Sequence, residues 1–297
     1  MSLKNEIKGL CRKYQIRPRR RQGQNFLICR EIIQKMIKAA ELNGSEAVLE
    51  IGPGLGFLTK QIALKAQKVV AVEIDERIVS VLKNELRDFK NIEIIQGNIL
   101  DLEIFHRARK SLGGKFKIIS SLPFNITGAI LRRLSSFQSD IESMILILQK
   151  EVGERIVAQP PQMSLLAVSV QFFSQAEIVS GVDKNNFWPQ PKVDAAIIRI
   201  IPRGFAGADF LKNLPPDFEK KFFQIVRAGF FSPRKYLLNN FVKSGIIKNI
   251  KTLKSKDIGT EGQKEKMNKI FKEIGLNPRV RAQELPMEKW IELANKL

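Results

Sequence analysis

Val48-Leu49-Glu50-Ile51-Gly52-Pro53-Gly54-Leu55-Gly56-Phe57-Leu58-Thr59 decides the fold. The apolar run Ala47–Ile51 ends in three glycines at alternate positions, Gly52, Gly54 and Gly56, and a helical pattern follows. The next apolar run, Val69–Ile74, carries Glu73 and Asp75 at its end. The pattern predicts a strand, a tight glycine turn, a helix and a second strand that closes on a carboxylate. Glycine permits positive φ and lets a ligand approach the backbone. A carboxylate about 20 residues on can accept hydrogen bonds from a ribose. An adenosine-containing cofactor is therefore expected.

A dinucleotide site wants G-x-G-x-x-G, and Phe57 stands where its third glycine would be. The spacing here is G-x-G-x-G, preceded by Glu50. It resembles the first motif of S-adenosylmethionine-dependent methyltransferases, whose cofactor has no phosphate to cradle. A glycine turn with no ligand is the plain alternative; it leaves the position of Glu73 and Asp75 unexplained.

At 297 residues the chain can build one large domain or two ordinary ones. No apolar run approaches the length of a membrane span. The charged N-terminus lacks a signal-peptide core, so a cytoplasmic protein is expected. Cys11 and Cys29 are too few for a disulfide framework or a zinc site, and no metal is expected. The single histidine, His106, sits in the polar 101–109 segment and reads as a surface residue.

The net charge of +20 is unevenly spread. Residues 1–30 carry +8, residues 31–202 only +2, and residues 203–297 carry +10. A nearly neutral middle between two basic ends is an electrostatic footprint for nucleic acid.

Seven apolar runs bounded by turn residues read as strands: Ala47–Ile51, Val69–Ile74, Ile92–Gln96, Phe116–Ser120, Ser143–Leu148, Ala176–Ser180 and Ala195–Ile200. Helical patterns such as Glu31–Leu42, Asp75–Leu86 and Thr127–Leu134 separate the earlier ones. This alternation predicts a doubly covered parallel sheet. Only the 183–194 loop joins the last two runs, too short for a helical crossover, so these two form an antiparallel pair. After Pro202, Gly204, Gly207, Pro215 and Pro216 mark a linker. Helical stretches follow at Asp217–Ala228, Tyr236–Lys243, Gly262–Glu273 and Met287–Leu297. The expected organisation is a basic arm over 1–30, a cofactor-binding catalytic domain over 31–205 and a small all-α domain over 206–297.

The fourth strand runs directly into Ser121-Leu122-Pro123-Phe124-Asn125. A polar residue followed by X-Pro-aromatic suits methylation of an exocyclic amino group on a base. That amine is a poor nucleophile because its lone pair is delocalised into the ring. The Ser121 side chain and the Leu122 carbonyl can accept hydrogen bonds from its two N–H groups and so free the lone pair. Pro123 fixes the turn, and Phe124 offers a stacking face. A strand-to-helix turn with an aromatic core plug is the competing reading.

With these motifs the chain resembles the ribosomal RNA adenine dimethylases, over nearly its whole length. The resemblance rests on Gln22-Gly23-Gln24-Asn25-Phe26-Leu27, Leu49–Thr59, Val72-Glu73-Ile74-Asp75, the segment from Gln149 to Ile156, Phe187-Trp188-Pro189-Gln190-Pro191-Lys192-Val193, Phe222-Phe223 and Arg234–Asn240. It implies a Rossmann-like methyltransferase fold, α/β, with a seven-stranded, mainly parallel sheet holding one reversed strand, and a C-terminal all-α domain. It implies S-adenosylmethionine as cofactor, contacted by Asn25, Leu27, Gly52, Gly54, Glu73, Asn98 and Ser121. Glu73 would hold the ribose hydroxyls and Asn98 the adenine amino group, although Leu27 could simply pack and Asn98 simply cap a turn. Phe187 would lie near the target base as a second stacking face. Arg19, Arg20, Arg21, Arg227, Arg234 and Lys235 would grip RNA phosphates.

The sequence leaves its family's pattern at Asn98, where aspartate is usual, and at Ser121 and Phe124, where asparagine and tyrosine are usual. Loss of the charge at Asn98 is expected to weaken cofactor binding by about 1 kcal/mol. Serine keeps an acceptor, a shorter one. Pro233 replaces a common second arginine. The expected activity is N6-dimethylation of two adjacent adenines in small-subunit rRNA, performed by a monomer on a pre-30S particle. Two alternatives stay open: the same chemistry on large-subunit rRNA, and a weakly catalytic RNA-binding assembly factor.

Overall fold

A computed structural model describes residues 2–19, 23–124, 126–135, 139–203, 215, 217–246 and 260–297. They divide into two compact units, one of residues 1–154 with 174–207, the other of 155–173 with 208–297. The continuous 31–205 domain expected from sequence is thus interrupted by a helical excursion, and the N-terminal segment belongs to the first unit. Of the expected linker, Gly204, Gly207 and Pro216 lie outside the described residues.

The first unit opens with α1 (Leu3–Lys13), β1 (Phe26–Leu27) and α2 (Arg30–Ala40). There follow β2 (Ala47–Ile51), α3 (Phe57–Ala63), β3 (Lys68–Glu73), α4 (Glu76–Glu85) and β4 (Ile92–Gln96). Next come α5 (Leu102–Leu112), β5 (Phe116–Ser121), α6 (Thr127–Ser135) and β6 (Ile141–Gln149). Two helices, α7 (Lys150–Val157) and α8 (Leu165–Phe173), precede β7 (Ser174–Val182), β8 (Phe187–Trp188) and β9 (Ala195–Pro202). The main sheet has seven strands in the order β4-β3-β2-β5-β6-β9-β7. From β4 to β6 all neighbours are parallel. The reversed strand is β9, antiparallel to both β6 and β7. All seven expected runs are strands, and the last two pair as the short connection required.

Position in this sheet fixes the site. The chain builds outward from β2 to β4, returns, and builds the other way from β5. Between β2 and β5 the strand order reverses, which opens a crevice at the carboxyl ends of the strands. Gly52 leaves β2 and Ser121 ends β5, so the two sequence motifs face each other across that crevice. The central strand β2 is buried at all five positions, as a parallel strand covered on both faces must be. In α2, Ile32, Ile33, Met36, Ile37 and Ala40 form the buried stripe at the spacing of one helix face.

The N-terminal segment is ordered by the same physics. In α1, Leu3, Ile7 and Cys11 recur at four-residue intervals and are buried. Leu3 and Ile7 each contribute about 1.5–3 kcal/mol by leaving water. Lys13 and Tyr14 both donate to Glu85 of α4, at 2.8 and 2.7 Å, and Arg30 reaches Glu6 at 2.6 Å. Exposed pairs of this kind add little by themselves; the apolar stripe holds the helix. The 183–194 segment, expected as a loop, contributes β8, which pairs antiparallel with β1 through Phe26↔Trp188 and Leu27↔Phe187.

The second unit holds α8 with α9 (Phe218–Gly229), α10 (Leu237–Ser244), α11 (Thr260–Glu273) and α12 (Met287–Lys296). Its core is aromatic. Phe172 stacks on Phe222 with ring centres 4.2 Å apart, and Phe230 stacks on the fully buried Trp290 at 5.7 Å. Asn240 donates to the carbonyls of Gly229 and Ser232, at 2.6 and 3.0 Å, and so closes the end of α9. Gly229 has no room for a side chain, because a Cβ there would lie 2.4 Å from the Trp290 ring and 2.9 Å from Leu237. The Gly229→Ala substitution should destabilise this unit by about 2 kcal/mol, the scale of core overpacking. Denaturant unfolding followed by Trp290 fluorescence against a Trp188→Phe background measures it, and an unchanged midpoint contradicts the packing described.

Candidate active site

Gly52, Gly54 and Gly56 have φ of 68°, 56° and 82°, a left-handed region that costs glycine little. Three such residues in five turn the chain sharply out of β2 and into α3. The Gly52 N–H donates to the Val72 carbonyl at 2.9 Å, which anchors the turn to β3. A Cβ on Gly54 would lie 3.1 Å from the Phe26 ring, so the turn and the N-terminal signature meet in close contact.

A cleft lies over this turn. It brings together Asn25, Gly52, Gly54, Glu73, Asn98 and Ser121, all expected from sequence as cofactor contacts. Pro123 lines it as well, with Gly23 and Gln24. A second, adjoining cavity shares Asn25, Phe26, Gly52, Gly54 and Ser121 with the first and adds Leu27 and Glu50. Leu27 is buried, so packing is part of its role.

The charges are fixed by their surroundings. Glu73 is buried, and its Oε1 accepts from the Asp75 N–H at 2.9 Å. Burial raises the Glu73 pKa above the ordinary carboxylate range, against the backbone N–H groups that lower it. Asp75 goes the other way. Hydrogen bonds from Arg77 hold its pKa down to about 2, assisted by Gln24, which donates at 3.0 Å. Gln24 also accepts from the Arg19 N–H at 2.8 Å. Gln24 therefore straps the arginine-bearing arm to the strand end that carries Glu73. Sequence reading treated Gln24 only as part of a signature.

Asn98 Oδ1 accepts from the Leu100 N–H at 3.0 Å. The turn-capping reading holds; the oxygen keeps a second lone pair and the amide N–H₂ two donors. Ser120 is buried and donates to the Ile51 carbonyl at 2.5 Å, tying β5 to β2 behind the motif. Leu122 is buried too. Phe124 is half-buried and meets Phe187 edge to face, with centroids 6.4 Å apart at 70°. Phe187 was expected as a second open stacking face; here it is 3 % exposed, because its strand pairs with β1. It supports the Phe124 ring from the side.

Of the expected phosphate contacts, Arg19 is exposed in the first unit, and Arg227, Arg234 and Lys235 are exposed in the second. Arg20 and Arg21 lie outside the described residues. Two exposed aromatics, Phe231 and Tyr236, neighbour Arg234 and Lys235 in the chain, and the Lys243 Nζ lies 5.7 Å from the Phe231 ring centre. His106 is exposed, as expected. Among the described residues no group of His, Cys, Asp or Glu is placed to hold a metal, and no helix is long and apolar enough to cross a membrane.

Glu50, which sequence reading noted only as the residue before the glycines, is 1 % exposed. Its Oε2 has no hydrogen-bond partner among the described residues. Burial pushes its pKa up to about 8; the Thr59 hydroxyl opposes this and the Glu73 charge adds to it. The unfolded chain gives up this proton near the ordinary value of 4.5, while the folded chain keeps it to about 8. Stability contributed by the neutral acid is therefore lost as pH rises between those values. The Glu50→Gln substitution should flatten this slope. The ligand-free variant is expected to melt several degrees above the parent at pH 8, on the order of 2 kcal/mol, with a smaller difference at pH 5. Calorimetric scans at both pH values check it; a variant less stable at pH 8 than at pH 5 relative to the parent contradicts it.

A model of the family described as ribosomal RNA adenine dimethylase matches residues 16–276. A ribosomal RNA small subunit methyltransferase A from Geobacillus sp. (strain WCH70) is 35 % identical over 291 residues, covering 96 % of this chain and 93 % of that protein. A protein of the same description from Bacillus mycoides (strain KBAB4) is 32 % identical over 297 residues, 99 % and 96 % of the two chains. Among solved structures, a dimethyladenosine transferase from Plasmodium falciparum superposes with a TM-score of 0.69 at 24 % identity, covering 89 % of this chain and 94 % of that one. The 23S rRNA methyltransferase ErmE gives the same TM-score and identity over 92 % and 99 %; both likenesses support the fold. With its glycine turn and its Ser-Leu-Pro-Phe motif on one crevice, this chain belongs to the ribosomal RNA adenine dimethylase family.

Proposed function

We propose that this protein uses S-adenosylmethionine to dimethylate N6 of two adjacent adenines in small-subunit rRNA, acting in the cytoplasm as a monomer on a pre-30S particle. The observation that carries the reading is the meeting of Ser121 and Pro123 with Gly52, Gly54 and Glu73 in one cleft. The two full-length relatives described as small subunit methyltransferases support the choice of subunit.

The residues present fit the cofactor. The cleft lies directly over the glycine turn. Its floor is glycine backbone, and the buried Glu73 offers a carboxylate to two vicinal hydroxyls. When bound, the cofactor supplies an electrophilic methyl group on a sulfonium sulfur. The chain supplies position. Glu73 would hold the ribose, and Asn98 would donate from its N–H₂ to a ring nitrogen of the adenine. The Ser121 hydroxyl and the Leu122 carbonyl would accept from the target amine, and Phe124, steadied by Phe187, would stack on the base. Holding donor and acceptor in line supplies much of the rate. Arg19, Arg227, Arg234 and Lys235 would hold phosphates.

A purified sample is expected to transfer four labelled methyl groups to each immature small subunit. A Gly52→Asp control should transfer none, since a side chain there would need φ of 68° and would carry charge into the cleft. No transfer above that control, or transfer confined to large-subunit RNA, sinks the reading. The role of Asn98 gives a second expectation. In Asn98→Asp one carboxylate oxygen can cap Leu100 while the other accepts from the adenine amine. Cofactor affinity should rise by about fivefold, within the range separating charged from neutral hydrogen bonds. Titration calorimetry with S-adenosylmethionine measures this, and an equal or weaker affinity contradicts it.

A further inference from the structure

Two large aromatic side chains of the second unit stand in solvent on either side of one turn. Phe231 is 54 % exposed and Tyr236 41 %. Between them the Lys235 N–H donates to the Ser232 carbonyl at 3.0 Å. The turn is pinned at both ends. Asn240 holds the Ser232 carbonyl, the Phe231 N–H donates to the Ala228 carbonyl at 3.2 Å, and the Leu237 N–H donates to the Val280 carbonyl at 2.8 Å. A backbone ordered before any partner arrives lowers the entropic cost of binding. Cations flank both rings. The Lys243 Nζ lies over one face of the Phe231 ring and leaves the other face open. Tyr236 pairs antiparallel with Arg281, which brings their side chains together on one side. Glu284 accepts the Arg281 N–H with its Oε2 at 2.9 Å. Arg227, Arg234 and Lys235 are exposed beside the turn. From Lys220 to Lys256 the sequence holds ten Lys and Arg and no acid. Open aromatic faces set in one sign of charge suit a partner that offers flat π surfaces and phosphates together. An unpaired stretch of RNA does so. A duplex does not, because its bases keep their faces inside the helix stack.

We propose that the 231–236 turn is a base-stacking site for single-stranded RNA. One unpaired base stacks on the open face of Phe231 and a neighbouring base on Tyr236, while Arg234 and Lys235 take the phosphates between them. The base held here is not the one methylated: the methylation motif with Phe124 lies in the first unit, and this turn lies in the second. The inference rests on the RNA reading above and extends it from phosphates to bases. Phosphate contacts position an RNA without reading its bases. Stacking adds a demand that the bases be unpaired, and it tolerates any base, since each has a π face.

Fluorescence anisotropy of the full chain with a short labelled single-stranded RNA, and with a blunt duplex of the same sequence, tests this. Phe231→Ala is expected to weaken single-strand binding about tenfold and to leave duplex binding unchanged. The slope of its affinity against salt should stay as in the parent, because no phosphate contact is lost. Phe231→Trp should bind like the parent. Phe231→Leu keeps apolar area without a π face and should bind like the alanine variant. Lys235→Ala is the opposite case: both RNAs bind more weakly and the salt slope falls by about one. Phe231 is exposed, so its replacements should keep the parent's melting temperature. Equal losses on single strand and duplex, a leucine variant that binds like the parent, or no loss in Phe231→Ala each overturn the proposal and leave the phosphate reading standing. A loss with immature small subunits that naked RNA does not reproduce assigns Phe231 to a protein contact and overturns it too. If the parent binds neither RNA, the RNA reading falls with the proposal.

Discussion

Three left-handed residues in a span of five leave the end of β2 little choice of path. Gly52, Gly54 and Gly56 turn the chain out of the sheet, and the Gly52 N–H ties the turn to β3. The turn must be tight, because α3 has to return over the sheet. It must also stay bare, because Phe26 already touches the space a Gly54 side chain would fill. The rest of the site is arranged around that bare backbone. Glu73 and Asn98 approach from β3 and β4, the N-terminal signature closes from above, and Ser121 approaches from β5 across the point where strand order reverses.

The carboxylates around this turn are tuned by surroundings rather than by type. Asp75 is held far down by Arg77 and Gln24 and serves as a strut. Glu73 and Glu50 are pushed up by burial; the Glu73 charge adds to the shift of Glu50, and the Asp75 charge adds to that of Glu73. The neutral departures from the family pattern, at Asn98 and Ser121, lower the negative charge of the same cleft. Asn98 keeps its structural duty, capping Leu100.

The runs that became β2, β3, β5 and β6 were readable because a strand buried in a parallel sheet is apolar nearly throughout and glycine or polar residues bound it; β4, β7 and the reversed β9 were readable as short apolar runs between turn residues. The pairing of the last two followed from the length of their connection. What was misread depended on contacts distant in sequence. The 183–194 segment looks like a loop until Phe26 and Leu27, about 160 residues earlier, are beside it. Phe187 looked like an open stacking face for the same reason, and pairing with β1 buries it. In α1 the stripe of Leu3, Ile7 and Cys11 was present but masked by the charge around it. The 155–173 segment follows a strand of the sheet in sequence, yet Phe172 and Phe173 belong with Phe222 and Phe223.

The sequence by itself determined the sheet, the glycine turn, the carboxylate after β3 and the Ser-Leu-Pro-Phe end of β5. Each is a local pattern, set by the two-residue period of a strand, the φ freedom of glycine or the fixed ring of proline. Only the tertiary structure decided which of these share a cleft, that the Asn98 oxygen caps Leu100, and that Glu50 is buried. Solvation and pairing are properties of what surrounds a residue. For Glu50 those surroundings include Thr59 on α3 and Glu73 on β3, brought together by folding.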